Sequence, residues 1–329
     1  MRLINTNTLE LKEFPDHSIP PYVIFSHVWG DEAEECHFQE FCSSANHTAE
    51  TKRKNGYAKI VNFCLKCRES GYEWAWADTV CIDKANYDEL NFAINSMFEW
   101  YQNSEMCFAY LEDTKVPERS PFGRDQHFLF LGRIRDCQWF KRGWTLQELI
   151  APRTIRFFSR EWKWFMSNYQ AVDDISGITS LPKNVIYQLK DSTFTLQSYR
   201  SWLQYSPRSV LKWASRRTVR QTEDAAYSLL GLLNVKIDIH YGEGLKAFER
   251  LQTLLILQTG DPRCLLWEND EWASRKTDRI GLCPYLSPSI SVFQGLRGHE
   301  VRAGEASQGW GVGDLDYRAG WDLSFCHEL

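Results

Sequence analysis

Residues 142–151 read Arg-Gly-Trp-Thr-Leu-Gln-Glu-Leu-Ile-Ala, flanked by Cys137-Gln-Trp-Phe-Lys141 and Pro152. Trp144 and Glu148 are four residues apart. A helix starting here sets an indole and a carboxylate one turn apart on a single face. That pairing suits the wall and floor of a nucleotide or sugar pocket. The same residues carry a second meaning: Thr145-x-x-Glu148 is a capping-box pattern, in which the carboxylate returns to its own helix N-terminus. Local sequence favours the cap. If the pair is instead catalytic, it suits one reaction in particular. Cleaving a nicotinamide–ribose bond expels an already cationic base as a neutral leaving group, so no general acid is required. What remains is one positioned carboxylate to stabilise an oxocarbenium-like transition state, plus aromatic packing for flat rings. A glutamate near a helix N-terminus is held ionised by the dipole.

Other chemistries leave weaker traces. Cys81 and His27 both fall at strand ends and would form a thiol–imidazole pair if close, although a strand cysteine is usually core. Asp78 and Asp83 read as metal ligands, as an acid–base pair, or as caps of the following loop, the last being commonest. Neither a Walker pattern nor a dinucleotide glycine fingerprint occurs, and Gly242-Glu-Gly244 reads as a helix-entry turn. Cys64-Leu-Lys-Cys67 lies inside a helical pattern without a second pair at zinc spacing, so packing is the better reading and no metal site is expected.

These residues need a scaffold, and the chain is long enough for one large domain or two ordinary ones at 329 residues. Its composition is 43% hydrophobic and 25% charged, which is globular; 14 tryptophans point to aromatic-lined clefts or a core of large flat side chains. A formal net charge of −5 argues against a basic nucleic-acid footprint. No secretory signal or membrane-length apolar run is visible, and the ten cysteines are scattered. The expectation is a cytoplasmic protein with reduced thiols.

The first half alternates strand and helix. Tyr22–His27 reads as a short strand, residues 56–69 as a helix, Trp74 to Asp83 as a second strand, and residues 88–102 as an amphipathic helix with Leu90, Ala93, Ile94, Met97 and Tyr101 on one stripe. Cys107 to Leu111 is a third strand, a helix opens at Trp144, and Thr154 to Phe158 is a fourth. This order implies right-handed crossovers and a mainly parallel sheet flanked by helices, with ligands settling beyond the carboxyl ends of the strands. Ser26, His27, Asp78 to Asp83, Asp113 and the 142–148 segment all fall at such ends. Residues 112–136 read as a surface loop. The second half is mostly helical to about residue 260. One helix opens at Thr222 and buries Ala225, Ala226, Leu229, Leu230 and Leu233; another follows Gly244. Beyond Gly260 the pattern becomes irregular and ends without a clear closing element, as a truncated domain would.

Several blocks, in order, resemble the fungal heterokaryon-incompatibility (HET) domain: Pro21 to Gly30, Tyr72 to Lys84, Ala93 to Tyr101, and Trp139 to Pro152. Arg2 to Thr6, Thr222 to Gly231 and Tyr241 to Phe248 extend the resemblance over roughly residues 1–260. It implies a HET domain over 1–160, a helical extension over 161–260 and an irregular segment over 261–329. The implied role is non-self recognition that triggers fungal cell death, by self-association or through an incompatibility partner. HET domains in turn look like distant relatives of TIR domains, implying a TIR-like (flavodoxin-like) α/β fold. Trp144-Thr-Leu-Gln-Glu-Leu149 is similar to the TIR Trp-Cys-Leu-Asp-Glu-Leu motif, whose glutamate is catalytic in TIR enzymes that hydrolyse NAD. Thr145 replaces the usual cysteine, and the 112–136 loop is long. By this resemblance Glu148 is the catalytic residue, with Trp144 packing against the ring system; Ser26, His27, Trp29, Asp78 and Arg142 are expected to bind substrate along the rest of the strand-end cleft. NAD is then a substrate, with no cofactor. The alternative is a non-enzymatic assembly module in which Glu148 is a cap.

Overall fold

The computed structural model describes residues 1–42, 47–115, 134–187 and 207–260. Among them, seven strands form one sheet: β1 (Arg2–Asn5), β2 (Leu11–Glu13), β3 (Tyr22–His27), β4 (Trp74–Trp76), β5 (Met106–Leu111), β6 (Ile155–Ser159) and β7 (Trp164–Ser167). Their order across the sheet is β2-β1-β4-β3-β5-β6-β7. The central β4, β3, β5 and β6 run parallel, with Val23 opposite Ala75 and Met106, and Cys107 opposite Ile155. At the two sides β1 lies antiparallel to β4 and β2, and β7 lies antiparallel to β6. The sheet is therefore mixed, which corrects the expectation of a mainly parallel one. The cause is local: β1–β2 and β6–β7 are joined by tight turns, which can link only antiparallel neighbours, whereas parallel neighbours need a crossover. Leu9 and Trp162 take positive φ in those turns, at 59° and 57°.

The crossovers are the helical stretches. Helix α1 (Asn55–Glu69) joins β3 to β4, α2 (Asp78–Cys81) and α3 (Tyr87–Asn103) join β4 to β5, and α4 (Thr145–Ile150) precedes β6. Asn86 caps α3 by accepting from the Glu89 backbone N–H at 3.2 Å. The second strand was expected to run on to Asp83 but stops at Trp76. The Cys81 N–H returns to the Ala77 carbonyl at 2.9 Å, so Asp78 opens a helical turn instead. In the second half, the helix expected from Thr222 is only the single turn α5 (Asp224–Tyr227), although Leu229, Leu230 and Leu233 are buried as expected. Helix α6 (Lys246–Thr259) ends on Gly260 at φ 64°. No helix of the described residues is long and apolar enough to cross a membrane. Most of the 112–136 loop and all of 261–329 lie outside the described residues.

Strand β3 is buried along its whole length, and its alternation serves two layers. Phe25 stacks on Phe63 of α1 at 4.5 Å and on His27 at 4.5 Å, so these rings share one face. Tyr22 and Ser26 point to the other face, where the Tyr22 hydroxyl donates to the Trp100 carbonyl of α3 and Ser26 meets α4. The end of β3 thus delivers one polar side chain to each side of the sheet.

Candidate functional site

The site is built outward from Ser26. Its hydroxyl accepts from the Trp139 indole N–H at 2.7 Å and donates to the Glu148 carboxyl, so an indole, a hydroxyl and a carboxyl form one buried relay. Glu148 therefore does not return to its own helix. Trp144 stands at the N-cap of α4 without a side-chain cap bond, and the Thr145 hydroxyl is turned to the carbonyls of Trp139 and Arg142. The capping-box reading is overturned by these partners. Glu148 is 7% exposed, and burial pushes its pKa up to about 7. The Ser26 hydrogen bond, Arg142 and Tyr101 oppose that rise, while the negative Asp78 adds to it. The Tyr101 hydroxyl donates to the Phe25 carbonyl at 2.8 Å and lies against the same carboxyl group.

Trp29 forms the opposite plate. Its indole N–H donates to Asp78 Oδ2 at 2.9 Å, Lys84 Nζ lies 3.5 Å from the ring centroid, and the Arg142 guanidinium lies 5.7 Å from it. Asp78 is shared further: His27 Nε2 is 3.6 Å from Oδ1, and Lys84 Nζ is 3.6 Å from Oδ2. Burial alone would raise the Asp78 carboxyl, but Lys84, His27 and Arg142 together hold it well below the usual carboxylate range. Burial lowers the Lys84 ammonium, and Asp78 resists that shift.

The third wall comes from the second half of the chain. Arg220 donates to the carbonyls of Trp29 and Gly30 at 2.6 and 2.7 Å. Arg217 donates to the Arg142 carbonyl and to Thr145 Oγ1, both at 2.9 Å, and burial lowers its pKa to about 9. Asp224, at the start of α5, accepts from the Tyr241 hydroxyl at 2.9 Å and from Trp144; burial raises its carboxyl against both bonds. Together these parts enclose a cleft of about 340 Å³ beyond the carboxyl ends of β3 and β4.

His27, Trp29, Asp78, Arg142, Trp144 and Glu148 all line this cleft, whereas Ser26 lies behind it, wholly buried, and supports Glu148. Cys81 makes no pair with His27: its thiol faces the Ala77 N–H at 3.5 Å, and burial pushes it up to about 12, so it is a neutral core group. Asp83 is a turn residue, accepting from the Ala85 N–H at 3.0 Å and from Gln39 at 2.6 Å. The cleft also draws on Lys84, Tyr101, Arg220, Asp224 and Tyr241, which sequence reading had not assigned to it. Tyr101 had read as one more member of an apolar helical stripe. Lys84 and Asp224 each follow another charged residue, Asp83 and Glu223, so local sequence gave no sign that they turn into a cleft.

Residues 22–128 match the family model described as heterokaryon incompatibility protein (HET). The chain is also similar to the vegetative incompatibility protein HET-E-1 of Podospora anserina. The two are 36% identical over 262 residues, which is 77% of this chain and 18% of that protein. This chain thus corresponds to less than a fifth of its relative's length. No solved structure matches the chain. The matched residues supply β3, α1, β4, α2, α3 and β5, and with them His27, Trp29, Asp78, Lys84 and Tyr101. The chain carries a heterokaryon-incompatibility (HET) domain, and the cleft is built upon it.

Proposed function

We propose that this chain is an effector of fungal vegetative incompatibility whose cleft hydrolyses the nicotinamide–ribose bond of NAD. The observation that supports this reading best is the setting of Glu148. Its carboxyl is withdrawn from its own helix, buried, and held by Ser26 at the floor of a cleft walled by Trp29 and Trp144. As the bond to neutral nicotinamide breaks, positive charge develops on the ribose. An ionised Glu148 in a low-dielectric site stabilises that charge far better than water would. Water then adds at the same carbon and gives up its proton to Glu148 or to solvent. The Trp144 indole packs the nicotinamide ring, and a cleft of about 340 Å³ is of a size to hold the nicotinamide ribose end of the dinucleotide. The name of the Podospora relative supports the incompatibility role, and the resemblance to TIR enzymes supports the hydrolysis. Cell death would follow from NAD loss, with self-association as the switch that limits it.

The test is nicotinamide release from NAD by the purified chain, dilute and forcibly oligomerised, for wild type and Glu148→Gln. Turnover that falls by about 10²–10³-fold in Glu148→Gln, with the melting temperature retained, supports the reading. Absence of turnover in every assembly state overturns it. One observation favours a second reading: the Trp139–Ser26–Glu148 relay links three side chains by hydrogen bonds inside the protein, as a purely structural tie would. In a non-enzymatic assembly module Glu148→Gln would lower stability and leave no activity to lose.

A further inference from the structure

Three cations gather at one indole. Lys84 Nζ and the Arg142 guanidinium lie over the Trp29 ring at 3.5 and 5.7 Å, and Arg220 is bonded to the Trp29 and Gly30 carbonyls. Two side chains at this end are also short of hydrogen bonds. Lys84 Nζ and both ring nitrogens of His27 are out of contact with solvent and reach no partner at hydrogen-bond distance, Asp78 standing 3.6 Å from Lys84 Nζ and from His27 Nε2. His27 is 4% exposed. A buried donor without a partner costs roughly 1–3 kcal/mol, and proteins rarely leave several in one place without a reason. Asp78 is the carboxylate that meets them directly, and it is already engaged by the Trp29 N–H at 2.9 Å; Glu32 also lines the cleft, 3.3 Å from His37 Nε2. The carboxyls of Glu148 and Asp224 are bonded elsewhere, to Ser26 and to Tyr241.

We propose that the Trp29 end of the cleft is a diphosphate-binding site, in which Lys84, Arg142 and Arg220 take the phosphate oxygens of a nucleotide and His27 donates a further hydrogen bond. Phosphate oxygens supply closer acceptors than Asp78, which stands 3.6 Å from both Lys84 and His27, and a fork-shaped guanidinium can bind two of them at once. Arg220 spends one of its terminal nitrogens on the two carbonyls, and the rest of its guanidinium stays available. The nucleotide would then lie along the cleft with its phosphates at Trp29 and its glycosidic bond over Glu148. This assignment rests on the nucleotide reading of the cleft. It makes the substrate a phosphorylated nucleotide and excludes a free nucleoside as an efficient one.

The test titrates the full chain with ADP, inorganic pyrophosphate and orthophosphate by calorimetry, and separately measures KM for NAD and for nicotinamide riboside. ADP and pyrophosphate should bind, with affinity falling steeply as salt rises. Lys84→Gln and Arg142→Gln should each weaken that binding at least tenfold, while Glu148→Gln leaves it intact. Nicotinamide riboside should show a KM at least tenfold above that of NAD. Arg142 is partly exposed, so its variant keeps the test decisive if Lys84→Gln fails to fold. If ADP binds with this dependence and NAD is never cleaved, the phosphate site stands and the hydrolase reading falls. If NAD is cleaved but Lys84→Gln and Arg142→Gln leave KM unchanged, the phosphate site is overturned and the hydrolase stands. Orthophosphate binding as tightly as ADP also overturns the nucleotide assignment.

Discussion

Ser26 shows how one hydroxyl sets the chemistry of a neighbour. Its hydrogen bond favours the ionised form of Glu148, against the burial that pushes the carboxyl up to about 7. If the ionised form performs the reaction, turnover rises with pH through about 7. In Ser26→Ala the opposing bond is gone, so the inflection of the pH–rate profile moves upward and turnover at pH 7 falls. The same shift appears in stability with the opposite sense. The native protein retains the Glu148 proton up to about 7, whereas the unfolded chain releases it near the ordinary glutamate value of 4.5. Native protein therefore binds more protons between those values, and stability declines as pH rises across that window, by up to roughly 3 kcal/mol. Urea midpoints from pH 4.5 to 7.5 should show this slope in wild type and a flatter one in Glu148→Gln.

The strand-end loop Val28 to Gly30 is the element that carries the Trp29 plate, and it is held from two sides. Glu35 accepts from the Gly30 N–H at 2.5 Å and from Lys59 at 3.4 Å, while Arg220 takes the Trp29 and Gly30 carbonyls. Arg220→Ala removes the second hold without touching Glu148. The expected result is KM for NAD raised at least tenfold with kcat changed far less, read from saturation curves. How much of this was legible depended on range. β3, α1 and α3 were readable because their burial patterns repeat at strand or helix period over enough residues. β2 and β7 were not: Leu11-Lys12-Glu13 has no buried residue, and β7 begins on the exposed Trp164. Trp144 and Glu148 were readable as a pair, but local spacing pointed to a cap. Only the 122-residue separation bridged by the Ser26 bond turns that carboxyl inward.

At the scale of the molecule, the cleft does not belong to the matched HET segment alone. Arg220, Asp224 and Tyr241 on its lining come from residues 207–260, and Gly231 lets that region press onto α3. A Cβ at Gly231 would sit 2.1 Å from the Phe98 Cβ. Gly231→Ala should therefore cost about 1–3 kcal/mol or more, seen as a lower melting temperature together with weaker ligand binding. Arg220 stands in residues 207–260 and grips the Val28–Gly30 loop, so the two segments are energetically coupled. Whatever ligand gathers Arg220 and Lys84 together must tighten the docking of 207–260 by the amount that this docking tightens the ligand, because such coupling is reciprocal. On the proposed reading, a ligand or contact that pulls residues 207–260 away would empty the cleft, and one that clamps them would fill it. Amide exchange in α5 and α6 would record either event from afar.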